Sequence, residues 1–393
     1  MKILCVIPTY WPAFQFGGPI FSVHALNKAL AEKGVSVTVF TTDAGLEKHV
    51  SSRGTDIDTV RVHYFSTSPF FGFLSPTGWG FSPGLFAQLK RSIRDFDLVY
   101  IVSVWNFSVA AAGYFCRANT IPYILSPRGL LYSYALEKKT WKKWPYYRLI
   151  SRRDIQGAAC IHYTSFDELA CHTSLGLTNP FAVVPNGIPL EEYDEPVDRQ
   201  AFFQRFPYLQ GKRIVLFLGR ITWKKGLDIL VDAFARFHTA YPDAVLVLAG
   251  NDEAGFSALI KKRIQLNHIG EQVFFTGMLL GQAKRQAFAV CDVFVLPSYS
   301  ENFGLSVIEA MAAGAPVVIS DQVALAREAA ELKAALVVEA TAESLYTGLV
   351  AVFKDPDETR QRVKRAHQFV REKYDIHTIA DQMIALFERV EKR

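Results

Sequence analysis

Residues 298–314 read Ser-Tyr-Ser-Glu-Asn-Phe-Gly-Leu-Ser-Val-Ile-Glu-Ala-Met-Ala-Ala-Gly, and the fold is inferred outward from this stretch. The apolar run Val293–Leu296 stands directly before it. This pattern predicts a buried strand, a short loop and then a helix. We expect the helix to run from near Ser306 through Met311, with Gly314 ending it.

Two carboxylates lie in this stretch, with seven residues between them: Glu301 in the predicted loop and Glu309 inside the predicted helix. They flank the start of the helix, where the N–H groups of Gly304, Leu305 and Ser306 lack helical partners and the helix dipole is positive. Such a helix start suits a phosphate group. Carboxylates accept hydrogen bonds from hydroxyl groups. The stretch therefore predicts a site for a phosphorylated sugar.

The composition is that of an ordinary globular protein large enough for two domains. Of the 393 residues, 50% are hydrophobic and 21% charged, and the net charge of +5 is too small to indicate nucleic-acid binding. Five scattered cysteines without CxxC spacing indicate reduced thiols, so we expect a cytoplasmic protein. The sequence contains no run of about 18 apolar residues, so no membrane span is predicted. The apolar run at the N-terminus is too short for a signal peptide.

Short apolar runs alternate with helical patterns in both halves of the chain. Ile3–Ile7 and Val37–Phe40 are predicted strands of the first half, and Ile214–Leu218 begins the alternation again in the second. The turn at Gly17 and Gly18 stands between a strand and a helix, where a backbone can approach a ligand closely. The pattern predicts α/β domains with parallel sheets covered on both faces.

The second half places two cations in one strand-to-helix turn. Arg220 and Lys225 follow the strand Ile214–Leu218, and an arginine fork with a lysine point charge can hold a diphosphate. Gly250 and Gly277 follow later predicted strands. Loops at the carboxyl ends of parallel strands are where open α/β sheets bind ligands.

These segments, in this order, resemble the signature of the retaining nucleotide-sugar glycosyltransferases of family four, the group 1 glycosyltransferases of GT-B fold. Glu-x7-Glu encloses Phe-Gly-Leu, and Gly-Arg-x4-Lys-Gly precedes it. The match is specific from about Ala182 to Pro316. The resemblance implies two Rossmann-like α/β domains facing across an inter-domain cleft. They would be an acceptor-binding domain at 1–190, a donor-binding domain at 191–373, and a last helix at 374–393 that packs back on the first domain.

The resemblance also assigns roles to residues. It implies that Arg220, Lys225 and Glu301 are catalytic, that Glu309 holds ribose hydroxyls and that Glu301 holds the sugar ring. The turn Pro185-Asn186-Gly187-Ile188 resembles the turn between the two domains in this family. The implied donor-binding residues are Gly17, Gly18, Asn186, Arg220, Lys225, Gly250, Gly277, Glu301, Asn302, Phe303, Gly304, Leu305 and Glu309.

One position departs from the family pattern. Many members carry a histidine before the glycine of the turn Ser126-Pro127-Arg128-Gly129, where this chain has Arg128. An arginine cannot act as a base at neutral pH, but it can hold an anion through two hydrogen bonds. Arg128 is therefore predicted to bind the acceptor, and the alternative is a purely structural turn residue.

Two segments could contact a membrane. Residues 138–153 mix seven cations with tryptophan and tyrosine, which is typical of a segment that binds anionic lipid headgroups, or else of a solvated helix face. Residues 66–84 form an aromatic loop that could line an acceptor site, touch lipid or fold onto its own domain. We expect a cytoplasmic protein that can lie peripherally on the inner face of the plasma membrane, with a glycan or lipid-linked glycan as acceptor.

The resulting hypothesis is a retaining, hexosyltransferase-like enzyme that moves a sugar from a UDP- or GDP-linked donor to an acceptor hydroxyl in polysaccharide or lipopolysaccharide assembly. No cofactor or metal is expected, because neither Asp56/Asp58 nor Asp95/Asp97 follows a strand as a Mg²⁺ site would. Two alternatives remain open at this stage. One is a sugar-nucleotide epimerase or hydrolase of the same fold, and the other is a non-catalytic sugar-nucleotide-binding protein.

Overall fold

The computed structural model describes residues 1–46, 54–68, 80–132, 146–253 and 255–392. They divide into two compact units, Met1–Gly187 with Ile376–Arg393 and Ile188–Asp375. Each unit is an α/β domain built on its own sheet, which confirms the predicted fold class. The sequence placed the division near residues 190 and 373. Residues 138–145 of the basic and aromatic segment 138–153, and residues 69–79 of the loop 66–84, lie outside the described residues.

Within the described residues, the sheet of the first unit has eight strands in the order β3-β4-β2-β1-β5-β6-β7-β8. Neighbouring strands are parallel except for the antiparallel pair β3 and β4. The polar residues around Asp56 and Asp58 predict a loop, but this is wrong for Asp56, which lies in β3 because the segment pairs with β4. The strands are β1 Lys2–Val6, β2 Ser36–Thr42, β3 Thr55–Ile57, β4 Val60–Phe65, β5 Leu98–Val102, β6 Tyr123–Ser126, β7 Cys160–Tyr163 and β8 Phe181–Val183.

The central strands of this sheet bury both of their faces. Successive side chains on a strand point to opposite faces, so Ile3 and Cys5 belong to one apolar cluster and Leu4 and Val6 to another. Continuous apolar runs in the sequence reflect this double burial. The helices of the first half are α1 Gly18–Glu32, α2 Pro83–Ser92, α3 Phe107–Asn119, α4 Arg152–Gln156 and α5 Phe166–Ser174.

In its described residues, the second unit holds a six-stranded, wholly parallel sheet in the order β11-β10-β9-β12-β13-β14. Its strands are β9 Arg213–Leu218, β10 Ala244–Ala249, β11 Val273–Gly277, β12 Val293–Leu296, β13 Val317–Ser320 and β14 Leu336–Val338. Its helices are α6 Glu191–Asp194, α7 Arg199–Arg205, α8 Leu227–Ala240, α9 Phe256–Leu266, α10 Gly281–Val290, α11 Leu305–Ala312, α12 Ala326–Glu331, α13 Ala342–Lys354 and α14 Pro356–Lys373.

The polar composition of residues 190–200 predicts a hinge or linker between the domains. The structure instead forms α6 and α7 there, and both belong to the second unit. The reason is burial: Phe202 is 1% exposed and Tyr193 packs against the same apolar core. The buried Phe202 and the partly buried Tyr193 thus attach α7 and α6 to the core of the second unit.

The last helix, α15 (Ile376–Glu391), returns to the first unit. Its buried side chains recur at helical spacing and enter the cluster that also contains Ile3 and Cys5. The ring of Phe387 lies 5.9 Å from that of Tyr100 on β5, and α15 packs along α1. Among the described residues, no helix is both long and apolar enough to cross a membrane.

Replacing Phe387 with alanine should destabilise the first unit by about 3–5 kcal/mol, because a fully buried ring is lost and a cavity remains. The matched control is Glu388→Ala on the exposed side of the same helix, which should change stability by less than about 0.5 kcal/mol. Urea unfolding followed by circular dichroism measures both. Equal effects of the two substitutions would contradict the packing of α15 against the sheet.

Candidate functional site

The turn between β9 and α8 packs against the segment that follows β12. Gly226 has a φ of 63°, and a Cβ atom there would lie 2.0 Å from the carbonyl oxygen of Pro297. The N–H of Tyr299 donates to the carbonyl of Lys224 at 2.8 Å. A left-handed glycine and this hydrogen bond therefore hold the cation-bearing turn beside the predicted glutamate loop.

Glu301 is fixed by its backbone as well as its side chain. Its N–H donates to the carbonyl of Gln322 at 3.0 Å, and its carbonyl accepts from the N–H of Ala324 at 3.0 Å. Its carboxylate accepts a hydrogen bond from the ammonium group of Lys225, and the two side chains are 18% and 15% exposed. Burial alone would raise the pKa of Glu301, but the charge and hydrogen bond of Lys225 outweigh it and the pKa is lowered.

Arg220 lies at the end of β9 in the same turn. Its guanidinium donates to the carboxylate of Glu253 at 2.9 Å, and both side chains are partly exposed. The positive charge of Arg220 also contributes to lowering the pKa of Glu301. The structure thus brings Arg220, Lys225 and Glu301 together, as the sequence predicted. A diphosphate binding here would compete with the two carboxylates for the cations.

Helix α11 begins at Leu305, one residue before the expected start. Its N-cap residue, Gly304, has a φ of 86°, and no side chain caps the helix. The first N–H groups of a helix have no partner within it, so those of Leu305 and Ser306 can donate to an anion, whereas that of Val307 donates to the carbonyl of Gly304. Asn302 and Phe303 lie in the preceding loop. The side chain of Phe303 is 6% exposed and packs in the core against Tyr374, and its backbone N–H donates to the carboxylate of Glu301.

Gly250 and Gly277 lie at the same edge of the sheet as Arg220. The N–H of Gly250 donates to the carbonyl of Gly277 at 2.9 Å. A Cβ atom at Gly250 would lie 1.8 Å from the carbonyl oxygen of Gly219, so only glycine allows this close approach. These residues border the cation-bearing turn through their backbone.

Glu309 has partners that the sequence did not indicate. Its carboxylate accepts from the ammonium group of Lys284 on α10 at 2.6 Å, with both side chains largely buried. Burial raises the pKa of Tyr193 well above its usual value, and the charge of Glu309 adds to this effect. Lys284 stands 25 residues before Glu309, outside any recognisable motif, so no sequence signal connects the pair.

The remaining predicted site residues belong to the first unit. Gly17 is the N-cap residue of α1 and Gly18 its first residue. Arg128 and Asn186 contact each other directly, because the Arg128 guanidinium donates to the side-chain oxygen of Asn186. No group of three or more His, Cys, Asp and Glu side chains that could hold a metal ion occurs in the part of the chain that the structure describes.

The lowered pKa of Glu301 predicts a pH-dependent contribution to stability. A carboxylate whose folded pKa lies below its usual value of 4.5 stabilises the fold above that pH, and the contribution disappears as the pH falls through the folded pKa. Urea unfolding of wild type and Glu301→Gln should therefore show a difference in unfolding free energy that is largest near neutral pH and shrinks below pH 4.5. A difference that grows on acidification would contradict the ion pair.

Two family models match consecutive parts of the chain. The model of the group 1 glycosyl transferases matches residues 198–369, and that of the glycosyl transferase 4-like domain matches residues 17–187. The two matches meet close to the division between the structural units. Each model thus corresponds to one of the two α/β domains.

Two curated relatives agree with these family matches. The chain is 31% identical over 214 residues to a phosphatidyl-myo-inositol mannosyltransferase of Mycobacterium tuberculosis, covering 53% of each protein, so it spans about half the length of that relative. It is 29% identical to the Mycobacterium leprae protein of the same name, over 95% of this chain and 93% of that one.

A crystal structure of Anabaena Alr3699/HepE with UDP and glucose superposes with a TM-score of 0.77. The two sequences are 19% identical, and the match covers 99% of this chain and 100% of that chain. At this identity, the likeness establishes the fold alone, which is that of two Rossmann-like domains as in the GT-B glycosyltransferases. With both family models matched in order, the chain belongs to the group 1 glycosyltransferases.

Proposed function

We propose that this protein transfers a sugar from a nucleoside-diphosphate sugar to an acceptor hydroxyl. The observation that carries the proposal is the convergence of Arg220, Lys225 and Glu301 beside the uncapped start of α11. Two cations and a set of backbone N–H groups can stabilise the negative charge that develops on a leaving diphosphate. Such a cluster at the carboxyl edge of a parallel sheet is where open α/β sheets bind ligands.

The proposed reaction retains the configuration of the anomeric carbon. The bond between the anomeric carbon and the diphosphate oxygen breaks, and its electron pair stays on the leaving nucleoside diphosphate. The acceptor oxygen forms a new bond to the same face of that carbon, and its proton passes to the leaving phosphate oxygen. Arg220 and Lys225 would hold the diphosphate during this step. No metal ion is needed, because the cations and the helix start supply the positive charge.

The two glutamates would bind the other parts of the donor. Glu301 faces the cations from the loop before α11, where its second oxygen can accept from a hydroxyl of the sugar ring. Glu309 is proposed to hold the ribose hydroxyls. Lys284 would orient that carboxylate through their ion pair, since a buried carboxylate without a partner is costly.

UDP or GDP is the proposed nucleotide, and polysaccharide or lipopolysaccharide assembly the proposed setting. The Anabaena structure contains UDP, and two relatives are named as mannosyltransferases that act on phosphatidyl-myo-inositol. A lipid-linked acceptor would place the enzyme peripherally at an anionic membrane, through residues 138–153. In the described part of that segment, Leu149 is 67% exposed among the exposed Arg148, Arg152 and Arg153, which supports this contact.

Tracing the donor sugar separates this function from the alternatives. Purified protein is incubated with UDP- and GDP-sugars labelled in the sugar, together with a lipid and glycan extract. Label joined to an acceptor supports transfer, free labelled sugar indicates a hydrolase, and a changed sugar still on the nucleotide indicates an epimerase. Donor binding without any turnover would make the protein a non-catalytic binder and contradict the proposal.

Replacing Lys225 with alanine should lower kcat about 10²- to 10³-fold with the donor that is turned over, because one preorganised donor to the leaving diphosphate is lost. Steady-state release of the nucleoside diphosphate measures this effect. The matched control is Lys262→Ala, an exposed lysine on α9, which should retain wild-type kcat. An unchanged kcat in the Lys225→Ala enzyme would contradict the proposal that the diphosphate binds at this turn.

A further inference from the structure

The backbone of Arg128 is held in a conformation that few side-chain-bearing residues adopt. Its φ is 54°, in the left-handed region, directly after β6 at the carboxyl edge of the first unit's sheet. Such conformations cost free energy and persist only where the surrounding structure enforces them. The fully buried carboxylate of Glu168 does so here, because it accepts hydrogen bonds from the N–H groups of both Gly129 and Thr164.

The guanidinium of Arg128 is anchored by two neutral acceptors. It donates to the side-chain oxygen of Asn186 and, at 2.9 Å, to the hydroxyl oxygen of Tyr100. Asn186 lies in the turn after β8 and Tyr100 in β5, so the anchors come from strands on either side of β6. The side chain is therefore fixed in direction by contacts that leave its positive charge unneutralised.

The hydrogen bonds behind Tyr100 have one consistent direction. The Nε2 atom of His162 lies 2.8 Å from the carbonyl oxygen of Val184, which can only accept, so Nε2 carries the hydrogen. Nδ1 then accepts from the Tyr100 hydroxyl at 2.9 Å, and the Tyr100 oxygen is left to accept from Arg128. Burial, with the nearby charge of Arg128, lowers the pKa of His162 to about 3, so the imidazole adds no second positive charge.

The charge of Arg128 has no acidic partner among the residues that the structure describes. Within those residues, the side chain of Arg128 donates to the two neutral acceptors, and its Nε–H is buried without a hydrogen-bond acceptor. By contrast, Arg117 in the same unit pairs with Asp154 at 2.5 Å. A half-buried cation without a counter-charge is costly unless a ligand supplies the charge. A guanidinium with free N–H groups is suited to the oxygens of a phosphate.

We propose that Arg128 binds a phosphate group of the acceptor, so that this enzyme selects a phosphorylated rather than a neutral acceptor. This inference rests on the proposed glycosyl transfer and adds the chemical class of the acceptor to it. Tyr100 and His162 act as positioning residues, since they aim the guanidinium and touch no substrate. The selectivity arises because a phosphate neutralises the positive charge of the oriented Arg128 guanidinium, whereas a neutral hydroxyl does not.

Ligand-observed NMR with glucose 6-phosphate and glucose tests the proposal on the full-length protein, saturated with whichever of UDP and GDP it binds. Glucose 6-phosphate should bind about ten-fold more tightly than glucose, as expected for one charge-assisted contact. Arg128→Gln should abolish this preference, and Arg128→Lys should keep part of it. The matched control is Arg94→Gln, because Arg94 also donates to a neutral asparagine, Asn119, and should leave the preference unchanged.

A second variant keeps the test interpretable if Arg128→Gln does not fold. Tyr100→Phe removes one anchor of the guanidinium but keeps its charge, and should reduce the preference without abolishing it. Equal binding of the two sugars by wild type, or an undiminished preference in Arg128→Gln, would overturn the proposal. So would weaker UDP or GDP binding by Arg128→Gln, which would assign Arg128 to the donor.

Vesicles of phosphatidylcholine and phosphatidylglycerol distinguish an acceptor phosphate from a lipid headgroup. The Arg128→Gln protein should bind these vesicles as tightly as wild type does. If it binds them more weakly, and wild type shows no preference for glucose 6-phosphate, Arg128 belongs to a membrane contact and the proposal is overturned. A failure of the proposed glycosyl transfer can be distinguished from a failure of this inference. In that case label tracing finds no product, while the preference for glucose 6-phosphate and its loss in Arg128→Gln can still be measured.

Discussion

The contact between Lys225 and Glu301 is the interaction on which the candidate site depends. It joins the turn after β9 to the loop before α11, and both partners are largely buried. Breaking a buried ion pair by removing one partner costs about 3–5 kcal/mol, because the other charge is left without compensation. The pair therefore holds the ammonium group of Lys225 beside the start of α11, where the proposed function places the diphosphate. Gly226 makes this geometry accessible, since any Cβ atom there would collide with Pro297.

In each unit, the candidate site residues lie at the edge of the sheet that the carboxyl ends of the strands form. In parallel sheets, all carboxyl ends of the strands lie at one edge, so residues far apart in sequence meet there. Arg220, Gly250 and Glu301 follow β9, β10 and β12 in the second unit. Arg128 and Asn186 follow β6 and β8 in the first. In the second unit the cations face carboxylates, whereas Arg128 faces neutral groups. This difference in local charge is the basis for proposing a diphosphate leaving group at the first site and an anionic acceptor at the second.

Much of the fold and part of the site could be predicted from the sequence. Apolar runs marked most strands, because doubly buried strands need no polar side chains, and the spacing of Glu301 and Glu309 placed one in a loop and one in a helix. The short strand β3 and the helices α6 and α7 were missed, since they form through pairing and through the burial of Tyr193 and Phe202. The partners of Glu309 and Arg128 were missed for a related reason. They come from distant segments that only the folded chain brings together.

Amide hydrogen exchange with and without a bound nucleoside diphosphate tests the central claim most directly. If the diphosphate lies between the cation-bearing turn and the start of α11, the N–H groups of residues 304–306 and of the turn 220–226 exchange more slowly when UDP or GDP is bound. Protection confined to other segments, or unchanged exchange at both places in a protein saturated with nucleotide, would contradict the account.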